Sequence, residues 1–160
     1  MNRVSKHTPE KLLPLLRKAA AFREELIAAE FTDNGGAIHS SERILDILSQ
    51  RIKYPELRHS NSYKNNSFAL FSVAALKDFR NGKPVFLEHV APIREYTREV
   101  IARIGRGDTD QQIVRFIKRT YLLVLLSKEE TVRLNKSNRS KIVRNRLLSA
   151  GIRKLVSASE

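Results

Sequence analysis

At 160 residues the chain has the length of one domain, and 41% apolar residues is enough to bury a core, which excludes a wholly disordered protein. Cysteine is absent, so disulfides and thiolate metal centres are excluded, and any metal must be held by His, Asp, Glu or Asn. Thirty Lys and Arg against seventeen Asp and Glu give a net charge of +13, a field that attracts polyanions.

The first predicted helix starts at Thr8-Pro9, where Thr8 can cap free N–H groups and Pro9 suits the first helical position. Leu12, Leu15, Leu16, Ala19, Phe22, Leu26 and Ala29 follow at helical spacing, and Pro14 kinks the first turns or delays the start. Asp33-Asn34-Gly35-Gly36 breaks the chain. Ser40 or Ser41 caps a second helix carrying Ile44, Leu45, Ile47, Leu48 and Ile52, and Pro55 ends it. Residues 56–66 are polar and read as a loop. A third helix is expected over 67–79; it is apolar nearly all round, which implies burial. Asn81-Gly82-Lys83 is a turn.

Pro84-Val85-Phe86-Leu87 then reads as a short strand that runs into Glu88-His89-Val90-Ala91-Pro92. A helix follows to Ile104 and stops at Gly105-Arg106-Gly107. Thr109 with Gln112 forms a capping-box pattern for a further helix through Arg119. Tyr121 to Leu126 is the longest apolar run and the second strand candidate, far short of the ~20 residues that span a bilayer. Ser127 caps a helix that opens Lys128-Glu129-Glu130, and a basic tail follows Asn135. The expected architecture is one mostly helical α+β domain. Residues 1–80 supply a three-helix bundle, 84–135 a two-stranded element with its helix, and 136–160 a basic segment. The N-terminus lacks the apolar stretch of a secretory signal, so a cytoplasmic location is the expectation.

The positive charge is concentrated. From Thr131 to Ser159 there is no acidic residue, and the stretch holds Arg133, Lys136, Arg139, Lys141, Arg144, Arg146, Arg153 and Lys154. Phosphate contact is the expectation there, with nucleic acid as the polyanion and DNA ahead of RNA. A membrane-surface helix is the rival, but the apolar face (Ile142, Leu147, Leu148) is short and lacks Trp and Phe. Arg58 and Lys64, beside His59 and Tyr63 in the polar loop, are further candidates for phosphate or base contact.

Of the four histidines, His7, His39 and His59 sit in terminal, pre-cap and loop positions and read as surface residues. His89 closes a strand, follows Glu88 and precedes Pro92 by three residues. An acid beside a histidine can hold a divalent cation while the imidazole takes a proton from water. Equally, Glu88 can serve as a hydrogen-bond partner for a histidine packed at the strand end.

The order of strand, Glu88-His89-Val90-Ala91-Pro92, apolar strand and Ser-Lys-Glu-Glu helix resembles the HNH, or ββα-metal, nucleases. Residues 126–135, Asn138-Arg139-Ser140-Lys141 and Ala150-Gly151-Ile152 add a likeness to short bacterial and phage proteins known as a sequence pattern only. The resemblance implies His89 as the general base, Glu88 as a metal ligand, and Asn135 or Glu130 as the helix ligand, with Mg²⁺ or Mn²⁺ suiting such donors. The helix lacks the second histidine of that family, and no Asn-Leu pair precedes the second strand. Three functions stay open: a metal-dependent endonuclease; a non-catalytic regulator of phage or defence type that binds nucleic acid or a nucleic-acid-handling complex; and, third, a basic face that meets an acidic protein.

Overall fold

The computed structural model describes residues 7–138 and 145–159. In chain order the elements are α1 (Pro9–Ala28), α2 (Ala37–Lys53), β1 (Leu70–Ser72), α3 (Val73–Arg80), β2 (Phe86–His89), α4 (Ile93–Gly105), α5 (Asp110–Thr120), β3 (Leu123–Leu126), α6 (Lys128–Asn138), α7 (Arg146–Ser149) and β4 (Leu155–Ser157). Short 3-10 helices occupy Asp33–Gly35 and Ser60–Asn65. The architecture is α+β and mostly α, as the sequence implies. It divides into two compact units, each made from two stretches of chain: Met1–Glu56 with Ile93–Tyr121, and Leu57–Pro92 with Leu122–Glu160.

The first unit is helical. α1 starts at Pro9 and continues past Pro14, which cannot donate to the Glu10 carbonyl four residues back. α2 begins at Ala37, ahead of the expected serine caps. Gly36, at φ 72°, makes the left-handed turn into it, and the Asp33 carboxylate accepts from the His39 N–H at 3.0 Å. Ser41 is instead buried, its hydroxyl donating to the Ile38 carbonyl at 2.6 Å. The bundle is completed not by the third predicted helix but by α4 and α5. The Thr109–Gln112 capping box at the head of α5 is formed. Leu12, Leu16, Leu45, Val100, Ile113 and Ile117 fill the centre. Tyr96 stacks on Phe116 and meets Tyr121 edge-on, and the Tyr121 hydroxyl donates to Asp46 at 2.5 Å. Burial, with the Asp46 carboxylate beside it, holds the Tyr121 phenol well above its ordinary range.

The second unit is a four-stranded sheet in the order β2-β3-β1-β4, with two strands more than the sequence suggests. β1 and β3 are parallel, and the other two pairings are antiparallel. The extra central strand comes from the stretch expected as a third helix. Ala69, Phe71 and Ser72 are buried between β3 and β4, and such a doubly covered strand reads as continuously apolar, as a buried helix does. Ser72 then ends β1 and caps α3, accepting from the Ala75 N–H at 3.0 Å. β4, at the end of the basic tail, pairs Val156 with Phe71. On one face Val124, Leu126, Leu134, Ala150 and Ile152 form a core between β3, α6 and the chain around α7. Tyr63, fully buried, donates to the Leu123 carbonyl at 2.8 Å and accepts from the Leu70 N–H at 3.2 Å, fixing the entry of β1 beside β3.

Both parallel strands run straight into capped helices. Ser127 caps α6 as Ser72 caps α3, and Glu130 joins the two caps. Its carboxylate accepts from the Ser127 N–H at 2.9 Å and from the Ser72 hydroxyl at 2.5 Å. Glu130→Ala should leave both donors buried without a partner and cost about 2–4 kcal/mol. The check is the urea midpoint of unfolding in metal-free buffer; stability close to wild type would show that the carboxylate does not tie the junctions together.

Candidate functional site

The antiparallel strands β2 and β3 with α6 directly behind them carry the residues singled out from the sequence. The strand itself lies two residues later than expected, so that Glu88 and His89 are its last two members. Register sets Glu88 opposite Val124 and His89 opposite Leu123. Successive strand residues point to opposite faces of a sheet, so carboxylate and imidazole leave β2 on different sides. Val124 belongs to the core under α6, which places Glu88 on that covered face.

There the carboxylate meets Arg146 of α7. The guanidinium lies 3.7 Å from Glu88, and its other nitrogen donates to the His89 carbonyl at 2.9 Å. Both side chains are largely covered, at 19% exposure for Glu88 and 15% for Arg146. Burial raises the Glu88 carboxyl above its ordinary value of 4.5, while Arg146 and then His89 pull it down by less. Arg146, expected on a phosphate-contacting surface, therefore clamps the end of β2.

The two proposed helix ligands lie apart from this pair in their bonding. Glu130 is buried in the joint between Ser127 and Ser72, and Asn135 is exposed one position beyond the buried Leu134. As arranged, the donors do not fit a divalent cation. One carboxylate faces a guanidinium, the other is taken up by two protein donors, and His89 leaves the strand on the opposite face. Among the described residues no group of three or more His, Cys, Asp or Glu could hold a metal ion.

The cations are more informative. Arg133 is exposed, yet its Nε donates at 3.2 Å to the carbonyl of Ala150 at the C-terminus of α7, where a cation complements the helix dipole. Lys136 is exposed on α6, and Arg58 and Lys64 are exposed in the segment before β1. Arg139, Lys141 and Arg144 lie outside the described residues. The sheet unit as a whole carries fourteen Lys and Arg against five Asp and Glu, a net +9 of the chain's +13. Three of its five acids are internally engaged: Glu88 with Arg146, Glu130 with the caps, and Asp78 with Lys83 at 3.6 Å.

Sequence reasoning missed the partner of Glu88, because nothing local distinguishes Arg146 from its basic neighbours. The role of Glu130 was open to view, since Ser127-Lys128-Glu129-Glu130 is the S-x-x-E capping pattern.

Because the folded protein holds the Glu88 proton at pH values where the unfolded chain has lost it, the stability Glu88 lends is greatest below about pH 4.5 and declines as pH rises through the folded-state value. Glu88→Gln cannot ionise, so its stability relative to wild type should climb across that window in urea unfolding at stepped pH. A difference independent of pH would refute the burial of this carboxylate. No family model matches the chain, and neither a curated protein nor a solved structure does.

Proposed function

We propose that the sheet unit binds nucleic acid by its phosphates, with duplex DNA as the first target ahead of RNA. The observation that carries this reading is the uneven charge: +9 resides in the unit of 57–92 and 122–160, and two of its five acids, Glu88 and Glu130, are covered. Cations at this density release condensed counterions from a polyphosphate, which makes affinity fall steeply with salt. The binding is largely indifferent to sequence, because phosphate contacts position a protein without reading bases.

A second reading, metal-assisted phosphodiester hydrolysis with His89 as base, is supported by the order and pairing of β2, β3 and α6, which is that of the ββα resemblance. The donor arrangement gives it no ligand set, so no step is derived through a metal.

Fluorescence anisotropy with labelled duplex DNA across a salt series tests the first reading. Log affinity should fall linearly with log salt, and Arg139→Gln, Lys141→Gln and Arg144→Gln together should flatten the slope by up to about 0.9 per lost contact. Lys136→Gln should act in the same way, whereas Arg146→Gln should mainly destabilise the fold by leaving Glu88 unpaired. Affinity insensitive to salt and to these changes would overturn the proposal. For the second reading, incubation of plasmid with Mn²⁺ or Mg²⁺ should give cleavage that His89→Ala abolishes; intact plasmid, or equal cleavage by the variant, rejects it.

A further inference from the structure

The hairpin of α1 and α2 is electrically unlike the rest of the chain. Residues 9–53 contain seven Lys and Arg and seven Asp and Glu, a net charge of zero in a protein of +13. This neutral hairpin also exposes large apolar side chains: Leu15 at 49%, Phe22 at 52% and Ile44 at 48%.

Their spacing gathers them onto one face. On α1, Leu15, Ala19, Phe22 and Leu26 follow at steps of four, three and four, the rhythm of a helix that packs lengthwise on another helix. On α2, Ile44 and Leu48 stand four apart. Contacts with α4, α5 and Tyr121 are made from the other side of both helices: Arg17 with Asp110 at 2.7 Å, Asp46 with Tyr121, and the Lys53 ammonium with the Lys118 carbonyl. At ~100° per residue these residues turn away from the apolar rows, so the rows flank the outer groove between α1 and α2. The other notable hollow, a cleft of about 840 Å³ between the start of α1 and α5, mixes Glu10 and Asp110 with Arg115, Lys118 and Arg119 and selects no ligand charge.

We propose that the outer face of α1 and α2 joins two copies of this chain about a two-fold axis as a four-helix bundle. Zero net charge permits like to meet like, which the rest of this basic surface opposes. It also gives a polyphosphate no reason to bind there. A two-fold interface must be self-complementary, and the free edge of α1 is. Lys18 and Glu25 are exposed, lie seven residues apart on that edge and carry opposite charges, so in an antiparallel α1–α1 pair each faces the other's counterpart. Phe22, between them, falls near the axis. A face the length of α1 and two helices wide is roughly 30 Å by 20 Å. That is about 600 Å² per copy, the lower end of what a specific dimer buries, so the association is reversible and concentration-dependent.

Sedimentation equilibrium on nuclease-treated, nucleic-acid-free protein tests this. The mass should rise from 18.3 kDa toward twice that value with concentration, with a dissociation constant on the order of 10 µM. Phe22→Glu and Ile44→Glu, at exposed positions that leave the core alone, should each remain monomeric with an unchanged far-UV circular dichroism spectrum. Lys18→Glu should weaken the dimer about tenfold, and adding Glu25→Lys should restore it. A wild-type chain that stays monomeric throughout, or a dimer that persists in both Phe22→Glu and Ile44→Glu, overturns the proposal.

Discussion

The sheet unit hangs on one buried carboxylate. β1 and β3 lie side by side and parallel; Ser72 ends β1, Ser127 follows β3, and each caps the helix behind it. Parallel neighbours bring their ends to the same edge of a sheet, so the two caps come close together. Glu130 occupies the space between them, accepting from the α6 cap and from the Ser72 hydroxyl. A carboxylate out of water is costly unless its oxygens are bonded, and here the donors are the groups that a strand-to-helix junction leaves free. With α3 and α6 held this way, Leu134 stays under β3 and the chain around α7 closes the core. That closure in turn brings Arg146 to the end of β2.

The readable parts of this fold are those governed by neighbours in sequence. The Thr109–Gln112 capping box, the breaks at Gly36 and Gly107, and the strand-rich character of 121–126 need only a few adjacent residues, and all are present in the structure. Failures cluster where a remote partner decides. Phe68 to Leu76 is apolar in every direction, and only its position between β3 and β4 makes its first part a strand. Ser40 and Ser41 are good caps in the abstract, but Gly36 and Asp33 start α2 a turn earlier. At the candidate site, the Glu-His pair at the end of β2 was legible, whereas the face each side chain takes depends on register with β3. The clamp from Arg146 depends on a helix fifty-seven residues away in sequence.

Charge separates the two units more sharply than sequence order does. The sheet unit carries a strong positive excess, and the α1–α2 hairpin of the other unit carries none. A polyphosphate surface and an apolar self-associating face impose opposite demands, since one needs unbalanced cations and the other needs their absence. The two proposals assign them to different units.

The route of the chain through the sheet has a consequence for how the protein is made. β2 and β3 are adjacent strands, yet α4 and α5 lie between them in sequence and belong to the other unit. A nascent chain emerging from the ribosome thus presents β1 and β2 well before β3, the strand that pairs with both. Until then Phe86 and Phe71 stand on unpaired edges, with Lys83 and Pro84 just ahead of β2 to discourage pairing with a stranger. Neither unit closes from one continuous segment, but the helical unit has all its chain by Tyr121, whereas the sheet unit still lacks β3 and β4, so its β1 and β2 edges are the last to be covered.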